Sequence, residues 1–129
     1  MTASGGEYPK LSEAVNIIRE LRHPTKGCPW DLKQTHQSLL KFLIEECYEF
    51  IDAVEDPQKG DHQMEDELGD ILLQILLHTA IGEERGSFTM ESVAANLSEK
   101  IIRRHPHVFG ELKESEIEAD QVVDNWQKI

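Results

Sequence analysis

The segment 42–70 places eleven carboxylates among Phe, Leu, Ile and Tyr side chains that would normally be buried. Such a pattern indicates either a solvated acidic face or a set of carboxylates that converge on a cation. Two like charges about 5 Å apart repel by roughly 3 kcal/mol at an effective dielectric of 20, so a convergent set would need a cation or bound protons. The eleven acids are Glu45, Glu46, Glu49, Asp52, Glu55, Asp56, Asp61, Glu65, Asp66, Glu67 and Asp70.

A helix predicted over 36–55 would carry the first group of these acids. At about 100° per residue, Glu45, Glu46 and Glu49 fan out from one edge of an apolar arc. We expect that arc to be buried, and its members are Leu39, Leu40, Leu43, Ile44, Cys47, Phe50, Ile51 and Val54. Taken alone, this helix slightly favours an acidic border that faces solvent.

A second helix, predicted over 61–85, is apolar around almost its whole circumference and is expected to be buried. It leaves one polar stripe, formed by Glu67, Asp70, Gln74 and His78. Buried charges without partners are costly, so the stripe should face a polar cavity. Gly69 lies within this helix, where a glycine is unfavourable, and close approach of a neighbouring helix would explain it.

A short turn at 56–60 would make these helices an antiparallel hairpin, in which both acidic sets meet. Carboxylate oxygens suit a hard divalent cation, so we expect Mg²⁺, with Mn²⁺ as a possible substitute. A solvated groove or a salt-bridged interface remains the alternative.

The rest of the chain is also helical in pattern, which predicts an all-α helical bundle built on this hairpin. We expect a flexible arm over 1–10 and a single domain over 11–129, with helices at 11–22, from Thr89 to before Pro106, and within 115–129, and a loop at 23–35. Thr35, Asp61 and Thr89 are the predicted N-caps. Val122, Val123 and Trp126 should form the docking face of the last helix.

Composition limits the partners of this chain. The 129 residues carry a formal net charge of −12, which argues against nucleic-acid binding. No apolar run approaches the length of a membrane span, and the N-terminus lacks a signal-peptide pattern, so we expect a cytoplasmic protein.

Cys28 and Cys47 should be reduced thiols, with Cys47 buried; a zinc site is the alternative, although no CxxC spacing supports it.

One dense basic cluster interrupts this acidic chain in the segment SEKIIRRHPHVFG, residues 98–110. Its members are Lys100, Arg103, Arg104, His105 and His107. Cations at the end of a helix complement the helix dipole, which accounts for some of them. Together with a carboxylate site, the cluster also suggests phosphate chemistry, because Lys and Arg bind phosphate oxygens.

Five motifs in order resemble the MazG-type nucleoside triphosphate pyrophosphohydrolases of the all-α NTP pyrophosphatase superfamily, in particular the N-terminal-type MazG domain. They are GCPWD (27–31), QTH (34–36), EECYE (45–49), ELGD (67–70) and RRHPHVFG (103–110). The resemblance implies a helical bundle that dimerises and hydrolyses NTPs to NMP and pyrophosphate with Mg²⁺.

The same resemblance assigns roles to individual residues. Glu45, Glu46 and Glu49 would be catalytic and metal-site residues, and Glu67 and Asp70 would complete the metal site. Water would attack the α-phosphorus, and one of the three glutamates would accept its proton. The candidate substrate-binding residues are Trp30, Asp31, Lys100, Arg103 and Arg104, although Trp30 and Asp31 could also serve only packing and a turn.

Three other interpretations remain open. The substrate could be a different nucleotide, such as dUTP, dCTP or a modified one. The chain could be a catalytically weak or inactive copy that acts as a dimeric, metal-binding regulatory module. A ferritin-like di-iron bundle is disfavoured, because it needs two ExxH motifs and only Glu20-x-x-His23 is present. The apolar second hairpin helix independently favours a homodimer.

Overall fold

A computed structural model describes residues 7–111 and 117–128, and all regular structure in these ranges is helical. The all-α prediction is therefore confirmed. The helices are α1 Pro9–Leu21, α2 Pro29–Lys33, α3 His36–Glu55, α4 Gly60–Glu84, α5 Met90–Arg104, α6 Pro106–Phe109 and α7 Ala119–Lys128. The chain divides after Thr89 into two compact units, which are described separately.

The first helix begins two residues earlier than its periodicity predicts. Pro9 occupies the start of α1, where its missing N–H would have no intrahelical partner in any case. Ile18 is the buried residue of α1, which packs against α4. Pro9 and Lys10 of the predicted arm belong to α1, and residues 1–6 lie outside the described ranges.

The predicted loop at 23–35 contains the short helix α2, which sequence periodicity could not reveal in five residues. Gly27 lets the chain fold back on the end of α1, because a Cβ there would lie 2.6 Å from the carbonyl oxygen of His23. Arg22 is buried and donates two hydrogen bonds to the Glu84 carboxylate, at 2.7 and 2.9 Å. The same guanidinium donates to the carbonyl of Asp31, so it ties α2 to the end of α4.

The hairpin of α3 and α4 is the centre of the first unit. Thr35 caps α3 as predicted: its hydroxyl accepts from the Ser38 N–H at 3.0 Å, and its own N–H donates to Ser38 Oγ at 2.8 Å. The cap predicted for the next helix is wrong, since α4 begins at Gly60 without a side-chain cap and Asp61 lies in its first turn.

The two helices run antiparallel, because His36 at the start of α3 meets His78 near the end of α4. The middle of α3, at Glu46, meets Glu67 and Asp70 in the first half of α4. Four residues connect the helices, which is short enough to make them direct neighbours.

The buried face of α3 differs from the predicted one. Leu39 and Ala53 are buried, and Glu46 lies between them at heptad spacing, so this side of the helix faces α4. The centre of the apolar arc is exposed instead: Leu40, Ile44, Cys47, Ile51 and Val54. The expectation that Cys47 is buried is therefore wrong, while both cysteines are free thiols as expected. Helix α4 supplies most of the core through Leu76, Leu77, Ala80 and Ile81.

The second unit contains α5, α6 and α7. Pro106 cannot continue α5 and instead starts α6. The Arg104 guanidinium lies 4.7 Å from the ring centroid of Trp126, a cation–π contact that joins α5 to α7. The last helix was predicted; of its expected docking face, Trp126 contacts Arg104 and His105 but is 39% exposed, and Val123 is exposed. Within the described ranges, no helix is long and apolar enough to span a bilayer.

Candidate active site

Three carboxylates converge between α3 and α4. Glu46, Glu67 and Asp70 each offer one oxygen, and these three oxygens lie within 4.8 Å of one another. Glu67 and Asp70 are one turn apart on α4, and Glu46 faces them because it lies on the side of α3 that packs against α4. The sequence therefore folds its acids into the helix–helix interface.

The surroundings of this cluster favour a cation over three free charges. Glu67 is buried, and Glu46 and Asp70 are half-buried. Desolvation raises the pKa of Glu46 above its ordinary value, and the neighbouring charges of Asp70, Glu49, Glu67 and Glu45 raise it further. A divalent cation would relieve both effects, and the all-oxygen donor set fits a hard ion.

The remaining two predicted glutamates lie beside the cluster and not in it. Glu45 and Glu49 are exposed on α3 and, with Tyr48 and Asp52, line a shallow depression of about 370 Å³. Both act on Glu46 through charge. The structure thus brings together three of the five predicted metal-site residues and leaves two at its edge.

A positioning contact that the sequence interpretation missed lies one turn before Glu67. Gln63 donates a hydrogen bond to Oε2 of Glu67, with an N···O distance of 2.6 Å. The four-residue spacing on one helix is the only signal that could have suggested it.

The polar stripe of α4 continues past the cluster. Gln74 is buried, and His78 is half-buried with its Nδ1 2.7 Å from Nδ1 of His36. The two imidazole rings lie nearly in one plane, with an interplanar angle of 2°, and the ring of Phe88 packs against that of His36. Burial lowers the pKa of His78, and His36 lowers it further. The stripe faces inward, as its isolation on an apolar helix predicted.

The close approach expected at Gly69 is absent from this unit. A Cβ at Gly69 would have no neighbouring atom within 4 Å, and the residue is exposed. It borders an apolar groove between α1 and α4 that Ile17 and Leu72 also line. Among the described residues, the predicted reason for this glycine is therefore wrong.

The candidate nucleotide contacts of the first unit lie on α2. Trp30 is half-exposed, and its ring packs edge-on against Phe42 of α3 with centroids 5.6 Å apart. Asp31 is buried, and its carbonyl oxygen accepts from Arg22. Trp30 therefore has both an anchored edge and an accessible surface.

The basic candidates lie on α5 in the second unit. Lys100 is half-buried, and Arg103 donates to Glu99 at 3.0 Å. Arg104 stacks on Trp126, and its Nε is buried without a hydrogen-bond partner in the described parts of the chain. Their role as phosphate ligands stays a prediction.

Comparisons with known proteins agree on one family. The profile of the MazG nucleotide pyrophosphohydrolase domain matches residues 34–109. A nucleoside triphosphate pyrophosphohydrolase/pyrophosphatase MazG of Thermotoga maritima is 57% identical over 101 residues, 78% of this chain and 38% of that protein. The nucleoside triphosphate pyrophosphohydrolase of Escherichia coli K12 is 34% identical over 120 residues, 93% of this chain and 44% of that protein.

Two further comparisons extend over nearly the whole chain. An uncharacterized protein of Bacillus subtilis, YabN, is 52% identical over 122 residues, 95% of this chain but 24% of that protein. The crystal structure of a mazG-related protein from Thermotoga maritima matches with a TM-score of 0.69 and 30% identity, and covers 91% of this chain and 96% of that one. The chain spans less than half the length of these curated relatives.

Proposed function

The chain belongs to the MazG nucleotide pyrophosphohydrolase family, and we propose that it hydrolyses nucleoside triphosphates to nucleoside monophosphates and pyrophosphate with Mg²⁺. The observation that carries this proposal is the convergence of Glu46, Glu67 and Asp70 within 4.8 Å. Relatives named for this reaction support it.

The three converging carboxylates would hold the cation. Their donor set is made of oxygen only, which suits Mg²⁺ and allows Mn²⁺ as a substitute. When bound, the ion supplies positive charge that screens the triphosphate and acidifies water.

The side chains around the cluster would accept the proton of the attacking water. Glu46 belongs to the cluster, which leaves Glu45 and Glu49, exposed at its edge, as the candidate bases. Water would form a bond to the α-phosphorus, the bond from that phosphorus to the bridging oxygen would break, and the water proton would pass to one of these glutamates. Pyrophosphate is the leaving group.

Candidate substrate contacts are proposed for each unit separately. Lys100, Arg103 and Arg104 would bind phosphate oxygens, while Trp30 and Asp31 would contact the nucleoside. The net charge of −12 supports a small metal-bound anion as the substrate and not a nucleic acid. We place this reaction in the cytoplasm.

A homodimer is part of the proposal. The centre of the apolar arc of α3 is exposed, with Leu40, Ile44, Ile51 and Val54 each about half accessible. A continuous apolar face of this kind is typical of an interface. A second copy of the chain would cover it.

Hydrolysis in ¹⁸O-labelled water tests the bond that is broken. Attack on the α-phosphorus places the label in the monophosphate, and ³¹P NMR of the products detects it there. Label in pyrophosphate would instead show attack on the β-phosphorus. The absence of turnover in a folded, metal-binding protein would favour the inactive regulatory copy.

A further inference from the structure

Two buried polar atoms beyond the carboxylate cluster have no role in the chemistry above. In the described part of the chain, Oε1 of Gln74 and Nε2 of His78 are buried without a hydrogen-bond partner. Gln74 is only 5% exposed. An unpaired buried acceptor is costly, and native proteins rarely contain one. A water molecule or a ligand that hydrogen-bonds to these atoms would remove this cost.

Their position is fixed by the register of the hairpin. Gln74 follows Asp70 by one turn, about 6 Å along α4, and His78 follows by about 12 Å. Along α4, Gln74 is halfway between Asp70, which lies near Glu46 of α3, and His78, which contacts His36 of α3. Because the helices are antiparallel, Gln74 therefore lies opposite residues 40–42 of α3. Phe42 is at this level, and Trp30 packs against it. An aromatic pair and two unpaired polar atoms thus lie on one side of the carboxylate cluster.

We propose that Gln74 is a specificity-determining residue whose side-chain oxygen accepts a hydrogen bond from the nucleoside part of the substrate. This inference rests on the proposed function, since a triphosphate held at the carboxylates places its nucleoside beyond the phosphates. The matching donor is either a sugar hydroxyl or an exocyclic amine of the base. His78 extends the same surface, and its bond to His36 fixes the direction of its free ring nitrogen.

Gln74→Met removes the acceptor at nearly constant length, and it is compared with Thr79→Val, a matched change at another buried position of α4. We expect kcat/KM for the preferred NTP to fall roughly 3- to 10-fold in Gln74→Met, the loss of one hydrogen bond. The Mn²⁺ affinity and the inhibition constant of inorganic tripolyphosphate, which has no nucleoside, should stay unchanged. Thr79→Val should alter none of these.

Substrate analogues then identify the donor. If the difference in kcat/KM between wild type and Gln74→Met vanishes for a 2′- or 3′-deoxy NTP, the missing hydroxyl is the donor. If that difference vanishes for an NTP whose base lacks an exocyclic amine, the amine of the base is the donor. Equal effects on NTP and tripolyphosphate, or a lower melting temperature with unchanged kinetics, would overturn the proposal and indicate a structural water. If wild type shows no turnover, the proposed function fails, and calorimetry with an α,β-methylene NTP still tests Gln74 by its binding.

Discussion

The side-chain amide of Gln63 donates a 2.6 Å hydrogen bond to Oε2 of Glu67. Gln63 is half-buried one turn earlier on α4, so the bond restricts how the Glu67 carboxylate turns towards Glu46 and Asp70. An amide donor orients the carboxylate without adding a positive charge that would compete with a cation. Loss of an outer partner of this kind typically weakens metal binding by roughly 10- to 100-fold.

Gln63→Met should therefore weaken the binding of divalent metal by about 10-fold or more. The measurement is Mn²⁺ titration followed by electron paramagnetic resonance. Gln58→Met, at an exposed position of the hairpin turn, is the control and should bind Mn²⁺ like wild type. An unchanged affinity in Gln63→Met would show that the hydrogen bond serves helix stability alone.

Glu46→Gln should make the metal-free protein more stable at neutral pH. The pKa of Glu46 is raised above its ordinary value of 4.5, so its stabilising protonated form is present below pH 4.5 and is lost as the pH rises through the raised pKa. Glutamine does not ionise and avoids this loss.

Thermal denaturation in EDTA from pH 4 to 8 measures the effect of Glu46→Gln. The variant should melt a few degrees above wild type at pH 7, and the two should converge below pH 4.5. Added Mg²⁺ should raise the melting temperature of wild type only. A variant that melts lower than wild type in EDTA at pH 7 would show that the carboxylates are already neutralised within the protein.

Gly82→Ala should destabilise the first unit by about 1–3 kcal/mol, because its Cβ would lie 2.6 Å from ring atoms of Phe88. Gly69→Ala is the matched change on the same helix, and it should stabilise by up to about 1 kcal/mol since no atom lies nearby. Urea denaturation compares the two. Destabilisation by Gly69→Ala would mean that a second copy of the chain packs closely there.

Ile44→Glu should convert a dimer to a monomer. It places a charge at the centre of the exposed apolar arc, where Ile44 is 56% accessible. Light scattering after size-exclusion chromatography at micromolar concentration measures the mass. Ser12→Glu, exposed on α1, should keep the wild-type mass. A monomeric wild type would contradict the proposed homodimer.

The helices that carry the site were predictable, because their signals are local. The Thr35 cap, the turn before Gly60 and the polar stripe of α4 each depend on residues a few positions apart. The stripe predicted that Glu67 and Gln74 would be buried. A helix that is apolar around the rest of its circumference is itself buried, and its polar residues are buried with it.

The rotation of α3 was not predictable, because an apolar arc does not say what covers it. The expected arrangement buried the whole arc, without saying what covers it. The structure instead turns Leu39, Glu46 and Ala53 towards α4, which brings Glu46 into the interface and leaves Ile44 and Cys47 exposed. The separation of Glu46 from Glu45 and Glu49 follows from this rotation and not from the motif.

Metal-dependent release of pyrophosphate is the measurement that tests the central claim most directly. A panel of canonical, deoxy and modified NTPs is incubated with wild type or Glu46→Gln, in Mg²⁺ or in EDTA. We predict equal amounts of NMP and pyrophosphate from wild type in Mg²⁺, and neither product in EDTA or from Glu46→Gln. Full activity of Glu46→Gln, or turnover that persists in EDTA, would contradict the assignment of the three-carboxylate cluster as the active site.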